Sequence, residues 1–282
     1  MSTSEALEPV DTSALLVPIH GELIALLRGL APDQWLLPTT AGTWRVRDVA
    51  AHILDGQLRR LSFHRDALPR PGGGPDDTYS DLVEFLNELN ARWIRAAERL
   101  SPAVMIHLLE TVGVQAPLFL AGLPPHEPAF WPVAWAGEAQ SENWMDVGRD
   151  YTEYWHHQQQ IRDAVGAPGL FDVRWLAPVL ALGVRALPRA LAATSRPDGT
   201  VVGIVVEGPA GGRWHLFRQG RGWSLGKGEK EGDVRAIVRF NAEAAGRLWY
   251  SGRGSAASAD AAVCEGDPAL GQAVLAARAV MV

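Results

Sequence analysis

Apolar positions recur at helical spacing in four long stretches of the N-terminal half of the chain. These stretches cover residues 12–30, 43–66, 80–100 and 141–166. Apolar residues at every third or fourth position form one face of an α-helix, and that face packs against its neighbours. Thr43 and Ser141 can cap their helices, and Gly166 suits the left-handed conformation that often ends a helix. The pattern therefore predicts a four-helix bundle.

Two segments interrupt this helical pattern. Residues 69–75 are rich in Pro and Gly and are predicted to form a loop. Residues 101–140 contain prolines that exclude a long helix from the second half of the segment. We expect a short helix over residues 102–110, followed by an irregular, lid-like stretch that contains Phe130 and Trp135.

After Gly166 the helical spacing gives way to short runs of β-forming residues. Runs separated by Gly-rich turns cover residues 201–207, 213–217, 222–225 and 234–240, as expected for strands. Two helical patterns follow at residues 242–250 and 268–281, and Asp267 with Pro268 forms a typical helix start. A helix over residues 174–191, interrupted near Pro188, would connect the two parts.

The predicted fold class is therefore α+β, with a helical bundle followed by a small α+β domain that contains an antiparallel sheet. We expect two domains, residues 1–168 and residues 169–282. A chain of 282 residues with 47% hydrophobic residues can bury a core large enough for both.

Composition and charge exclude several classes of function. The formal net charge of −6 gives no bulk electrostatic attraction to nucleic acid or to an anionic membrane. The first residues lack the features of a signal peptide, and apolar residues nowhere form an uninterrupted run of membrane-spanning length. The single cysteine, Cys264, suits a reducing compartment, and the apolar run before it predicts a buried structural thiol. We expect a soluble, cytoplasmic protein that binds neither nucleic acid nor a membrane.

Candidate chemistry lies on the fourth predicted helix. Glu153 and His157 are four residues apart, so a carboxylate and an imidazole share one helical face and can hold one ion. A metal site with open coordination positions usually has a third protein ligand, and His52 on the second helix is the best candidate. Gly56, one turn beyond His52, would leave room beside that imidazole.

Periodicity alone also allows a plainer interpretation of this face. Glu153 and His157 share it with Asp146, Asp150 and Gln160, and a polar helix face is more often solvated surface than a metal site. Residues 222–226 match the G-x-S-x-G pattern of a hydrolase, with Ser224 as the nucleophile. The Gly- and Lys-rich residues that follow are a poor helix start, so we interpret that match as chance.

The order of these residues resembles the DinB-like superfamily of four-helix-bundle metalloproteins. Trp44, Asp48 and His52, followed about a hundred residues later by the run from Glu153 to Ile161, are similar to its mycothiol-dependent maleylpyruvate isomerase branch. The C-terminal part is similar to the sterol-carrier-like domain of these isomerases, in the segments Phe240-Asn241-Ala242-Glu243 and Glu265-Gly266-Asp267-Pro268-Ala269-Leu270.

The resemblance implies a divalent metal held by His52, Glu153 and His157. Imidazole nitrogens suit zinc or nickel, and one carboxylate is too little hard oxygen for calcium or magnesium. Residues that would orient the ligands are Gln160, Asp48 and Arg149. His156 precedes a ligand and becomes the residue to test if His52 is not the third one.

Two function classes follow from the resemblance. The first is a metal-dependent isomerase or S-transferase that uses a small-molecule thiol such as mycothiol, acts on a small-molecule substrate and exists as a monomer or homodimer. The second is a non-catalytic metal protein whose C-terminal domain binds an apolar small molecule. The arginine that would bind substrate carboxylates stays open among Arg213, Arg218, Arg221, Arg235, Arg239 and Arg253.

Overall fold

A computed structural model describes residues 7–69, 79–230, 232–251 and 262–281. The predicted loop at residues 69–75 lies almost wholly outside these ranges. Two compact units form, one from Asp11–Phe130 with Glu142–Leu170 and the other from residues up to Val10, Trp131–Ser141 and Phe171–Val282. The assignment of residues 1–168 and 169–282 to two domains stays a prediction.

The first unit is helical. Its helices are α1 Ser13–Arg28, α2 Val46–Arg59, α3 Tyr79–Ala97, α4 Pro102–Leu108, α5 Gln115–Ala121 and α6 Asn143–Val165. The four long helices predicted from periodicity correspond to α1, α2, α3 and α6. Helix α2 begins later than the expected cap Thr43, because Asp48 accepts a hydrogen bond from the backbone N–H of Arg45 (2.9 Å) and fixes the helix start there. Helix α6 ends at Gly166 in the left-handed conformation, with φ of 68°.

Two π-helical turns extend α2 and α4. Arg60–Arg65 continues α2, and Leu109–Gly113 continues α4 up to α5. The helical segment that begins at Pro102 therefore reaches Ala121, and the predicted end near residue 110 is wrong. Pro117 does not break it, since it lies in the first turn of α5, where a backbone N–H has no intrahelical partner.

The segment Pro102–Ala121 is also the one helix among the described residues that is long and apolar enough to cross a membrane. That criterion uses length and composition alone, and core helices of globular proteins meet it too. Within the helical unit, His20 from α1 approaches the carbonyl oxygen of Leu109 in this segment (3.1 Å). The expected absence of membrane binding stays a prediction.

Helix α6 is buried on nearly all sides. Asp146 is fully buried and His157 is 6% exposed, so most of the face that periodicity assigned to solvent lies inside the unit. On the other side of α6, Gln158 donates a hydrogen bond to the carbonyl oxygen of Ile19, and Trp155 donates one to that of Leu170, both at 2.8 Å. The solvated-surface interpretation of this polar face is therefore wrong.

The second unit contains a five-stranded sheet with helices α7 Val173–Gly183, α8 Leu187–Ala190, α9 Ala242–Trp249 and α10 Pro268–Leu275. Its strands are β1 Thr200–Glu207, β2 Gly212–Gln219, β3 Gly222–Lys227, β4 Asp233–Asn241 and β5 Ala262–Gly266, in the order β3-β2-β1-β4-β5. The α+β fold class is confirmed. Asp267 caps α10 as predicted, since its Oδ1 accepts from the N–H of Ala269 (2.9 Å).

Three details of this unit differ from the prediction. The sheet is mixed, because β4 pairs with β1 in parallel while the other neighbouring strands are antiparallel. Cys264 is exposed on β5 and is no buried thiol. Helix α10 ends at Leu275, short of residue 281, because the chain turns so that the N–H of Ala279 bonds the carbonyl oxygen of Trp249 (2.6 Å).

The parallel pair has a physical explanation. The connection from β3 to β4 has five residues, a length typical of a hairpin. The connection from β1 to β4 contains β2 and β3, so it exceeds the dozen residues that parallel strands usually need. Here the short segment after β3 places Lys230 over the ring of Phe217 on β2, at 4.3 Å. The chain then enters β4 at the Thr200 end of β1, so that β4 lies on the far side of β1.

Candidate metal centre

The three predicted ligands meet between α2 and α6. His52 lies in the middle of α2, and Glu153 and His157 lie one turn apart on α6. One potential ligand atom from each residue lies within 4.8 Å of the others. The imidazole rings of His52 and His157 meet edge to face with centroids 4.6 Å apart. The tertiary fold thus brings His52 to a pair of residues about a hundred positions further along the sequence.

Gln160 fixes the orientation of the His157 ring. Nδ1 of His157 lies 2.8 Å from Oε1 of Gln160. An amide oxygen only accepts hydrogen bonds, so Nδ1 donates this one and Nε2 is the ring nitrogen that faces Glu153. Nε2 lies 3.2 Å from Oε2 of Glu153. This pairing of a ring N–H with a neighbouring acceptor is the usual way in which a histidine ligand is aligned.

Glu153 provides the negative charge of the centre. Burial by itself would raise the pKa of its carboxyl group, but hydrogen bonds and charge interactions with His156 and His157 outweigh this and hold the pKa well below its usual value. His156 contributes through its Nε2, which lies 3.4 Å from Oε2 of Glu153. The carboxylate is therefore ionised and approached by two imidazoles.

His52 provides a neutral imidazole. Burial lowers its pKa well below the usual value, and the neighbouring His157 and Arg59 lower it further. The indole ring of Trp44 covers one side of His52, with ring centroids 4.9 Å apart. Nδ1 of His52 is buried and has no hydrogen-bond partner among the residues that the structure describes. A buried polar atom without a partner is costly unless a ligand completes it.

This set of donors fits a divalent cation. Two imidazoles and one carboxylate are a common ligand set for zinc and leave coordination positions open. Two ligands of a tetrahedral zinc, each about 2.0–2.1 Å from the ion, lie roughly 3.3 Å apart. The separation of 3.2 Å between His157 Nε2 and Glu153 Oε2 matches that spacing. That these residues hold a metal stays a prediction.

The other two residues predicted to orient the ligands make different contacts. Asp48 accepts from the N–H of Arg45 at the start of α2. Arg149 pairs with the carboxylates of Asp146 and Asp150. Of the three, Gln160 is the one for which the structure gives a contact with a predicted ligand.

A second polar cluster, which we call the ion cluster, lies further along the same two helices and consists of Arg60, Arg149, Asp146 and Asp150. The guanidinium of Arg60 bonds both carboxylates through two hydrogen bonds each, at 2.7–2.8 Å. Arg60 is 2% exposed and Asp146 fully buried. Burial alone would lower the pKa of Arg60, but Asp150 and Asp146 raise it above its usual value. Two positive and two negative groups therefore compensate each other.

Sequence reasoning missed Arg60 and the contact of His156 with Glu153. Arg60 follows Ile53 by seven residues and so falls on the apolar stripe of α2, which is the signal that could have identified a buried arginine. The spacing of three residues between Glu153 and His156 is the signal that could have identified their contact.

The arginines considered for binding substrate carboxylates differ in their contacts. Arg213, Arg235 and Arg239 pair with Glu229, Asp233 and Glu265 respectively. Arg253 lies outside the described residues. Ser224 lies within strand β3, opposite Phe217, rather than on a strand-to-helix turn. This position agrees with the interpretation of the hydrolase match as chance.

The fold and the site together define a class: proteins in which a helical unit with a candidate His–Glu–His metal centre precedes an α+β unit with a mixed sheet. The family model of the mycothiol maleylpyruvate isomerase N-terminal domain matches residues 16–162, just over half of the chain. The chain belongs to this family.

Solved structures agree with this assignment. A mycothiol-dependent maleylpyruvate isomerase is similar in structure, with a TM-score of 0.54 and 14% sequence identity, and the match covers 92% of this chain and 95% of that chain. A histidine-to-alanine mutant of such an isomerase matches with the same TM-score and coverage and 13% identity. At this identity the likeness establishes the fold. A search of the curated proteins found no match.

Proposed function

We propose that this protein is a metal-dependent enzyme that uses a small-molecule thiol to isomerise a cis-enediacid of the maleylpyruvate type. The observation that carries the proposal is the convergence of His52, Glu153 and His157, with potential ligand atoms within 4.8 Å of one another. Membership of the mycothiol maleylpyruvate isomerase family supports the reaction class, and the solved isomerases named above are described as mycothiol-dependent.

The reaction needs no oxidant and no net change in composition. The thiolate sulfur forms a bond to one alkene carbon, and the π-electron pair moves into the adjoining carbonyl system. Rotation occurs about the resulting single bond. The electron pair then returns, the C–S bond breaks, and the thiolate is released with the trans product.

The residues of the chain have separate parts in this scheme. A bound divalent cation supplies Lewis acidity that favours the thiolate over the thiol at neutral pH. Glu153, His52 and His157 would hold the cation, zinc or else nickel by ligand type. Gln160 keeps Nε2 of His157 turned towards Glu153, and His156 orients the carboxylate of Glu153. Trp44 shields one side of His52 from water.

The exposure of Cys264 is consistent with an external thiol. Cys264 lies on an edge strand of the other unit. Its residue is exposed, but partial burial of the sulfur raises the pKa of the thiol, which disfavours the reactive thiolate. It is the single cysteine of the chain, which supports supply of the nucleophile by a small molecule.

Metal loading tests the first half of the proposal. The parent protein, dialysed against zinc or nickel and then against buffer, should retain one ion per chain. His52→Ala should retain none while its far-ultraviolet circular dichroism stays that of the parent. His126→Ala is the matched control, since His126 is an exposed histidine paired with Glu142, and it should bind metal as the parent does. Full metal retention by His52→Ala would contradict the ligand set.

Activity assays test the second half. The metal-loaded parent should convert maleylpyruvate only when mycothiol is added, and removal of the metal should abolish conversion. Consumption of the thiol together with a conjugated product would indicate an S-transferase instead. Metal binding without either activity would favour a non-catalytic metal protein whose C-terminal part binds an apolar ligand.

A further inference from the structure

Gly56 lies on α2 at the level of the candidate metal centre. Two contacts between α2 and α6 bracket it: His52 meets His157 one turn before Gly56, and Arg60 binds Asp150 one turn after it. On α6, Glu153 lies between His157 and Asp150. The two helices run in opposite directions across these contacts, so Gly56 is level with Glu153.

Nothing in the packing of α2 requires glycine at this position. A Cβ atom at Gly56 would meet no atom within 4 Å, and its backbone is not in the left-handed conformation. Gly113 shows the opposite case, because a Cβ there would lie 2.1 Å from Oε1 of Gln57. Glycine in the interior of a helix is a poor helix former, so α2 keeps an unfavourable residue where an alanine would fit.

The space beside Gly56, here called the Gly56 notch, is level with Glu153, which is more exposed than its histidine neighbours on α6. The side chain of Glu153 is 35% exposed, whereas those of His156 and His157 are 9% and 8% exposed. Trp44 covers another side of His52. Of the two predicted ligands on α6, Glu153 is therefore the more accessible, and it lies at the level of the notch.

We propose that the Gly56 notch admits the thiol-bearing end of the co-substrate to the candidate metal centre, and that Gly56 sets how bulky this end can be. The inference rests on the proposed function. A thiol on a slender carbon chain fits a space left by a missing side chain. A branched side chain at position 56 would occupy the same space and keep the sulfur away, while the three metal ligands would be unaffected.

The test uses the cobalt-loaded protein, in which a thiolate bound to the ion gives a sulfur-to-cobalt charge-transfer absorption. The parent, Gly56→Ala, Gly56→Leu and Gly21→Leu are titrated with 2-mercaptoethanol and with mycothiol. Gly21 is the matched control, because it is an interior glycine of α1 whose Cβ would also meet nothing within 4 Å. Metal content and melting temperature are measured for each variant.

We expect one cobalt ion per chain in all four proteins. Gly56→Leu should raise the Kd of both thiols about tenfold or more. The leucine side chain would occupy the space that the thiol needs, and such overpacking costs on the order of one tenfold step in affinity. Gly56→Ala should raise it less and melt no lower than the parent. Gly21→Leu should bind both thiols as the parent does.

Different outcomes overturn different claims. Parent-like thiol affinity in cobalt-loaded Gly56→Leu would overturn the role of the notch and leave the proposed function intact. Loss of cobalt from Gly56→Leu would also overturn it, because the space beside the ligands would then not be free. A parent protein that binds no cobalt would overturn the proposed function itself.

Discussion

Two polar clusters lie along the same pair of helices, and they differ in how their charges are compensated. In the ion cluster, Arg60 and Arg149 face Asp146 and Asp150, and each carboxylate accepts two hydrogen bonds from Arg60. In the candidate metal centre, the ionised carboxylate of Glu153 faces imidazoles, and burial lowers the pKa values of His52 and His156. The first cluster is complete with protein groups, whereas the second offers a carboxylate and imidazoles as candidate ligands for a cation.

This difference separates structural from functional polarity. A buried charge is tolerated when partners compensate it, and removal of one partner is then strongly destabilising. A group of ligands whose charge is not compensated by the protein points to an ion from outside. The four predictions below test whether the two clusters are as independent as this comparison requires.

The largest effect is expected for Arg60→Met. The substitution leaves the fully buried Asp146 and the nearby Asp150 with one fewer partner, and loss of one partner of a buried ion pair costs about 3–5 kcal/mol of unfolding free energy. Urea unfolding of the metal-free protein measures this loss. Arg92→Met, which breaks the exposed pair with Glu88, should change stability little. Reduced metal affinity in folded Arg60→Met would show that the clusters are coupled.

A smaller effect is expected for Gln160→Met, on metal affinity. Without the acceptor for its Nδ1–H, the His157 ring loses its fixed orientation, and such outer contacts are typically worth about 10–100-fold in affinity. Competition with a chelator of known affinity measures the change. Gln115→Met alters an exposed glutamine of the same unit and should leave the affinity unchanged. Parent-like affinity in Gln160→Met would remove Gln160 from the centre.

Acid should weaken the ion cluster in a defined direction. Burial would raise the pKa of Asp146, but Arg149 and Arg60 more than offset this and hold it below the ordinary value of 3.8. The stabilisation is therefore fully present above pH 3.8 and is lost as the pH falls through the lower folded-state pKa. The unfolding free energy, measured from neutral pH downwards, should decrease once the pH is below 3.8. Asp146→Asn should show a shallower decline, and an equal decline would contradict the assignment.

The smallest effect is expected for Asp48→Ala. Asp48 accepts from the N–H of Arg45 and lies in the first turn of α2, so its loss should cost about 0.5–1 kcal/mol of stability. Asp48→Asn retains an acceptor and should cost less. Metal affinity should not change in either variant. A loss of metal affinity larger than the loss of stability would restore the predicted role of Asp48 beside the ligands.

The sequence predicted the helical unit well, because its signals are local. Apolar spacing located α1, α2, α3 and α6, and Gly166 marked the end of α6. The pair of Glu153 and His157 also follows from spacing within one helix. His52 does not, because its distance from α6 depends on helix packing; its position on the second helix made it the best candidate, and the family resemblance supported that choice.

The errors concern features that a pattern of apolar residues does not record. Alternation of apolar residues along a strand records which face is buried but not the direction of the neighbouring strand, so the parallel pairing of β1 with β4 was not predictable. The apolar residues around Cys264 are compatible with a buried strand as well as with an exposed edge strand. Arg60 was overlooked because a buried charge has no sequence signal apart from its place on an apolar stripe.

The parallel pairing of β1 with β4 has a consequence for the time course of folding. The hairpins β1–β2 and β2–β3 join strands that follow each other directly, and hairpins form in about 1–10 μs. The β1–β4 ladder pairs Thr200 with Asp233 and Val206 with Phe240, so it closes a longer loop than either hairpin, and we expect it to form later. During synthesis, one edge of the apolar strand β1 therefore stays open until residue 241 has left the ribosome. We expect this interval to be the most aggregation-prone stage in the life of the chain.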